Sequence, residues 1–257
     1  MFYQPGVTEH GLPRDPFKVS IIIPLPISYH NLITASQACV VPRPIGWIST
    51  KSADGTDNLA PYSQFNNLTF DPPYVMFSAN QASTGRRKDT TINAETTGEF
   101  VWNLATYPLR EAVNITAEET PYGTDEFQRA GLQKESASLV NVNMVKESPV
   151  KFECKYYTTL RLPGSPPLGS ADVVIGLVVG VHVDESVLTD GMVDIAKTQP
   201  IARCGYYQYA RIQETFEMIV PGGGKILFGL EGNVSLHKKL RDEIAGERKT
   251  NGDKVGE

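Results

Sequence analysis

The chain is poor in the side chains that build metal centres and disulfide frameworks. Its 257 residues include three cysteines, Cys39, Cys154 and Cys204, an odd number at wide spacing with no CxxC pair. That argues against a disulfide scaffold and a zinc site, and reads as free thiols in a reducing compartment. The four histidines, His10, His30, His182 and His237, are scattered without metal-ligand spacing, so no metal is expected. His182 alternates with Val181 and Val183 and reads as a satisfied or surface histidine. No GxSxG elbow supports a hydrolase. Gly222–Gly224 lacks the strand–loop–helix setting of a dinucleotide fingerprint. There is no excess of basic charge: the net charge is −5, which argues against a nucleic-acid binder. No apolar run is long enough to span a bilayer. The stretch from Val19 to Pro42 is free of charge but is broken by Pro24, Pro26, His30 and Asn31. The first residues show no basic segment ahead of an apolar core, so a cytoplasmic protein is expected.

What is present suits a globular β protein. An apolar share of 40% against 21% charged residues supports a full core. Pro44–Gln64 reads as a hairpin turning at Ala53-Asp54-Gly55-Thr56, and Tyr74–Ala79 and Glu99–Ala105 read as strands. Tyr107–Thr120 has helical spacing, and Asp125–Ala130 reads as a shorter helix stopped by Gly131. Val150–Leu160 alternates cleanly, which predicts a half-buried strand with Lys151, Glu153 and Lys155 toward solvent. Asp172–Asp184 is a long strand whose Gly176 and Gly180 suggest bends or bulges. A further strand is expected within Tyr206–Val220. Leu236, Leu240 and Ile244 mark a short helix before a polar tail. Trp47 and Trp102 read as core. Many strands, few helices and no βαβ rhythm predict a mainly β fold, an antiparallel barrel with a few peripheral helices.

The chain is organised around Asn58–Thr91. Ser83-Thr84-Gly85-Arg86-Arg87-Lys88-Asp89-Thr90-Thr91 offers cations, hydroxyls and a glycine turn, the three means of holding a phosphate monoester. A solvated basic loop explains the same run equally well. Asp89 would repel a phosphate and is expected to point away, orienting Lys88 or capping Thr91. Asn58-Leu59-Ala60-Pro61-Tyr62-Ser63 leaves room for a planar ring on the backbone, with the Ser63 hydroxyl and free N–H groups as donors. It reads as well as a strand entering a turn.

An ordered set of motifs resembles the flavin reductase-like, FMN-binding split-barrel family. They are PRPIGWIST (42–50), NLAPYSQFN (58–66), DPPYVMFSAN (71–80), RKDTTIN (87–93), EFVWNLA (99–105), DEFQRAGL (125–132), SADVVIGLVVGVHVD (170–184) and PIARCGYYQYARI (200–212). The resemblance implies a split antiparallel barrel working as a homodimer, with FMN near the subunit interface. It implies that the ring and ribityl chain meet Thr50, Ala60, Pro61, Tyr62, Ser63, Ser78, Ala79 and Asn80. The phosphate would meet Arg86 or Arg87, Lys88 and Thr90, with Asp89 inside the same motif. Arg203, Tyr206 and Tyr209 would line the site from the other side. The implied activity is reduction of flavin by NAD(P)H, with a monooxygenase or another electron acceptor as partner. An FMN-binding electron carrier without its own nicotinamide site is the alternative, and a barrel that has lost flavin is a third. Residues 1–41 read as an arm carrying an insertion at 19–37, residues 42–220 as the FMN-binding domain, and 221–257 as a glycine-rich hinge, short helix and tail. Joining Lys18 to Ala38 would restore the family pattern, which marks 19–37 as foreign, for instance as translated intron.

Overall fold

The computed structural model describes residues 38–82, 84–164 and 169–218, and the backbone of 19–20 and 33–34. Seven strands form one sheet: β1 (Gly46–Lys51), β2 (Asp57–Tyr62), β3 (Phe65–Phe70), β4 (Pro73–Asn80), β5 (Glu99–Leu104), β6 (Val150–Leu162) and β7 (Ala171–Val183). Their spatial order is β2-β1-β5-β6-β7-β4-β3, and every neighbouring pair is antiparallel. The two outermost strands, β2 and β3, are consecutive in the chain. Only Ser63 and Gln64 connect them, so the sheet must roll until its edges meet. At the seam the Ser78 N–H donates to the Gln64 carbonyl at 2.8 Å. No ladder joins β2 to β3, so the barrel is split, as expected from the sequence.

Strand alternation sorts side chains to the two faces of this wall. Inside are Ile48, Tyr62, Phe65, Val75, Phe77, Phe100, Trp102, Cys154 and Val174, all buried. Phe65 stacks on Trp102 with ring centres 5.2 Å apart and planes within 5°, and Phe77 meets Phe100 edge-on at 5.5 Å. This crowding explains one glycine: a Cβ on Gly176 would lie 2.4 Å from the Phe100 ring. The opposite face of the wall carries Trp47 and Leu59, which pack with Ile45, Val113, Phe127, Val145 and Ile201. Both tryptophans are therefore core, as expected. Among the described residues three helices lie between β4 and β6: α1 (Asp89–Thr97), α2 (Arg110–Ile115) and α3 (Glu126–Arg129). Val113 of α2 and Phe127 of α3 bring the last two onto the Trp47 face.

Three expectations need correction. Two of the three charged residues of β6 are not toward solvent: Glu153 is fully buried and Lys151 is 8% exposed, while the Lys155 side chain is 45% exposed, as expected. Burial of Glu153 and Lys151 is possible because both are paired. Glu153 accepts from the N–H groups of Ser138, Leu139 and Val140 at 2.6–3.0 Å and meets His182 Nε2 at 2.5 Å, while Lys151 pairs with Glu135 at 2.5 Å. His182 is thus satisfied, as expected. Two bulges also break the simple alternation, leaving Val179 unpaired opposite Glu153/Cys154 and Tyr157 unpaired opposite Gly176/Ile175. Gly180 and Gly176 adjoin them, in line with the reading of these glycines. Beyond the second bulge Leu160 faces out, 56% exposed. The helix expected over Tyr107–Thr120 is confined to Arg110–Ile115. Finally, α1 has no counterpart in the sequence reading.

Asp125–Ala130 behaves as expected: Asp125 caps α3 by accepting from the Gln128 N–H, and Gly131 follows at φ +69°. Tyr209–Arg211 supplies the strand expected after Tyr206 and pairs with Ile201–Arg203. Val19–Ser20 pairs with Ile33–Thr34. The rest of the 1–37 arm and insertion, the glycine hinge and the helix at Leu236–Ile244 lie outside the described residues. The chain divides after Gln213 into two compact units, and of the second only 214–218 is described, without helix or strand.

Candidate functional site

The site is assembled by α1, whose sequence, DTTINAETT, has almost no apolar residues yet buries Thr90, Thr91, Asn93 and Ala94. Hydrogen bonds substitute for an apolar stripe. Asn93 Nδ2 donates to Thr50 Oγ1 at 3.1 Å. Asn58 Nδ2 donates to Thr90 Oγ1 at 2.9 Å and to Thr50 Oγ1 at 3.3 Å. The buried Tyr62 hydroxyl also hydrogen-bonds Thr90, and burial pushes that phenol well above its usual range. These contacts fix the first turn of α1 against β1 and β2.

The loop before α1 is turned by Gly85 at φ +76°, closed by Ala82 N–H to Arg86 carbonyl at 2.7 Å. Lys88 is the N-cap residue of α1, with extended backbone, and no side chain caps this end. The amides of Asp89 and Thr90 have no intrahelical acceptor, so the helix N-terminus presents donors and the positive end of its dipole. Among the described residues the Lys88 ammonium forms no salt bridge. Ser83, part of the expected phosphate run, lies outside the described residues.

A cavity of about 100 Å³ opens at this point. Ala60, Pro61, Tyr62, Arg86, Arg87, Lys88, Asp89 and Thr90 line it, together with Asn58 and Ala82, and facing them are Thr116 to Thr120 and Glu126. Two stretches separated in sequence are therefore brought to one hollow, as the phosphate-and-ring reading requires. Thr50, Ser63, Ser78, Ala79, Asn80 and Arg203 do not line it. Thr50 lies fully buried beneath, Ala79 is in the barrel core, and Arg203 stacks on Tyr209 at 4.6 Å and donates to the Tyr206 carbonyl.

The two arginines differ. Arg87 is committed: its Nε donates to Asp172 at 2.7 Å and its two terminal nitrogens clasp Glu95 at 2.6 and 2.8 Å. Those bonds raise its pKa and hold the Glu95 carboxyl below the usual carboxylate range. Burial pushes Asp172 up, but hydrogen bonds from Arg161 and Arg87 outweigh it and the net shift is downward. Arg86 is freer, with its guanidinium 3.7 Å from Asp89 and 5.7 Å from the Tyr122 ring centre. Asp89 was expected to point away, orienting Lys88 or capping Thr91; instead it lines the cavity beside Arg86, and no side chain caps the N-terminus of α1. The Asp89 pKa is raised by burial, only partly offset by Arg86 and Lys88.

The edge of β2 offers fewer donors than the sequence suggested. Pro61 has no N–H, which makes Trp47↔Pro61 a non-hydrogen-bonded pair and turns the Leu59 N–H outward. That N–H is taken by Glu126 Oε2 at 3.0 Å, and Thr120 Oγ1 donates to Glu126 Oε1 at 2.9 Å. Burial lifts the Glu126 carboxyl above its usual range despite those bonds. Glu126 and the Thr116–Thr120 wall were missed in the sequence, because nothing in their local pattern signals a second wall. Glu118 on that wall is neutralised by Arg129.

The matching family is described as the flavin reductase like domain, and its model aligns with residues 15–201. The chain belongs to this flavin reductase-like family. An uncharacterized protein of Aquifex aeolicus is 38% identical over 173 residues, 67% of this chain and 85% of that one. Among solved structures, nitrilotriacetate monooxygenase component B from Bacillus cereus is 32% identical, with a TM-score of 0.65 over 70% of this chain and 88% of that one. Flavoredoxin of Desulfovibrio vulgaris shares the fold at 21% identity, with a TM-score of 0.62 over 72% of this chain and 94% of that one. No helix among the described residues of this flavin reductase-like chain is long and apolar enough to cross a membrane.

Proposed function

We propose that the chain binds FMN, with the phosphate at the N-terminus of α1 and the ring system along Ala60, Pro61 and Tyr62. The observation that carries this reading is the shared cavity, where two open helix amides, the Lys88 ammonium and the side of β2 converge. Helix amides and a cation are the chemistry a phosphate monoester needs. Lys88, Thr90 and the partly free Arg86 are the phosphate ligands in this reading. Arg87 is instead the brace that holds the loop. The cavity is smaller than the roughly 300 Å³ at which whole-ligand pockets begin. It therefore suits the phosphorylated tail, while the ring lies along the open wall, where a second copy of the chain would cover it. A homodimer follows from that reading.

Bound FMN would supply hydride acceptance from NAD(P)H and onward electron transfer. The chain's own residues bind and orient. Lys88 and Arg86 balance the phosphate charge, and the network of Asn58, Thr50, Asn93 and Thr90 keeps α1 in register with β2. Glu126 and Pro61 together leave β2 with acceptors rather than donors on its outer edge. Contacts to a flavin ring edge would then come from other amides. The 32% identity to a monooxygenase component supports a partner oxygenase as the electron sink.

Anaerobic titration of the FMN-loaded protein with NADH and with NADPH tests the reading. Bleaching of the flavin absorbance by either is expected. Yellow protein that neither nucleotide bleaches would mark an FMN-binding electron carrier instead. Colourless protein that ignores added FMN would overturn the flavin site itself.

A further inference from the structure

A second hollow lies on the α2 side of the barrel, outside the cleft described above. It has a volume of about 320 Å³, within the range of small-molecule sites. Val113, Ile201 and Ala210 give it an apolar floor, and Tyr107, Arg110 and Arg211 stand at it. Its frame is fixed by backbone bonds, with Tyr107 N–H to the Gln199 carbonyl at 2.9 Å and Ile201 N–H to the Ala105 carbonyl at 3.0 Å.

The charge arrangement sets this hollow apart. The guanidinium carbons of Arg110 and Arg211 both lie 4.4 Å from the centre of the same Tyr107 ring. Two cations on one ring repel each other, and the ring quadrupole offsets only part of that repulsion. The carboxylate at hand is Glu111, 3.4 Å from Arg110 and itself 77% exposed. Among the described residues Arg211 has no carboxylate partner. Arg110 already donates Nη1 to the Tyr107 carbonyl at 3.0 Å, so among the described residues it is the planar N–H fork of Arg211 that is placed to take a carboxylate. An apolar floor beside an under-compensated pair of arginines favours an anion that also has an apolar body over a fully hydrated inorganic one.

We propose that this hollow binds a small organic carboxylate with an apolar body, its head group held by Arg211 with Arg110 beside it and its body on Val113, Ile201 and Ala210. The site is independent of the flavin reading, since none of these residues lines the α1 cavity.

Isothermal titration of the full chain with 2-naphthoate tests it, with 2-naphthamide as the neutral analogue and inorganic phosphate as competitor. Saturable binding of one naphthoate per chain is expected, with naphthamide at least tenfold weaker and equimolar phosphate without effect. R211Q, at an exposed position, is expected to weaken naphthoate at least tenfold while leaving the melting temperature and FMN affinity unchanged. R211K is expected to fall between the two. K88A is expected to leave naphthoate binding intact. Naphthamide binding as tightly as naphthoate, displacement by phosphate, or R211Q binding like the unaltered chain would each overturn the assignment. Loss of naphthoate binding in K88A alone would move the ligand to the flavin cleft and overturn it equally.

Discussion

The side-chain amide of Asn58 donates to the hydroxyl of Thr90 across 2.9 Å, in a buried setting and 32 residues apart in sequence. One bond thereby ties an edge strand to the first turn of the helix that presents donors to the cleft. Replacing Asn58 by Ala leaves Thr90 and Thr50 short of a partner. A stability loss of about 1–3 kcal/mol is expected, read from urea unfolding, together with weaker FMN binding. Unchanged FMN affinity in a folded N58A protein would separate the network from the site.

Lys88 and Arg87 are neighbours with opposite assignments. Lys88→Ala removes a cation that forms no salt bridge among the described residues. It is expected to weaken FMN by about 1–3 kcal/mol, the scale of a charged hydrogen bond, with no change in Tm. Arg87→Gln strips the clasp from Glu95 and Asp172. It is expected to lower Tm by roughly 5–10 °C, as the loss of a partly buried ion pair does in a chain of this size. If Lys88→Ala lowered Tm and Arg87→Gln did not, the roles would be reversed.

The same cluster sets an acid limit. Glu95 and Asp172 have pKa values depressed in the folded state, so they bind fewer protons folded than unfolded. Their stabilisation is present above the ordinary carboxylate range and is lost as pH falls through the folded values. Thermal melts from pH 7 to pH 3 are expected to show Tm falling steeply at the acid end. In Arg87→Gln the difference from the parent should be largest at neutral pH and shrink as pH drops. A constant offset at every pH would show that the ion cluster is not the source.

Gly176 faces the Phe100 ring with no room for a methyl group. Gly176→Ala is expected to destabilise by about 1–3 kcal/mol through overpacking, with FMN affinity per folded molecule unchanged. Gly55, which has no heavy atom near its Cβ direction but a φ of +93°, serves as the control for backbone strain without crowding.

We propose that residues 19–37 are an insertion between two stretches that the family pattern would join directly. Deleting them is expected to leave folding and FMN binding intact, checked by circular dichroism and flavin titration. Spliced transcripts retaining those codons as the major form would end the reading of the segment as foreign to the gene product.

The barrel was legible because its strands obey the period-two rule and its turns carry glycine or proline, as at Gly55 and Pro72-Pro73. The basic loop before α1 was legible as a cluster of residue types, although composition could not distinguish Arg87, committed to Asp172 and Glu95, from Lys88, which forms no salt bridge among the described residues. Helix α1 was not legible. Threonine and asparagine are poor helix formers, and its buried face is secured by Asn58, Thr50 and Tyr122 rather than by an apolar stripe. Lys151 and Glu153 misled for the same reason: their partners come from Glu135 and the 138–140 loop, distant enough that strand alternation says nothing of them.

Pro61 and Glu126 have a consequence for the protein among its neighbours in a crowded solution. An exposed sheet margin invites a foreign strand by offering alternating donors and acceptors. Here the margin of β2 has one donor absent by chemistry and the next occupied by a buried carboxylate, so an incoming chain would find carbonyls facing its own carbonyls. The open edge of the split barrel is thereby kept from acting as a seed for cross-molecular β assembly.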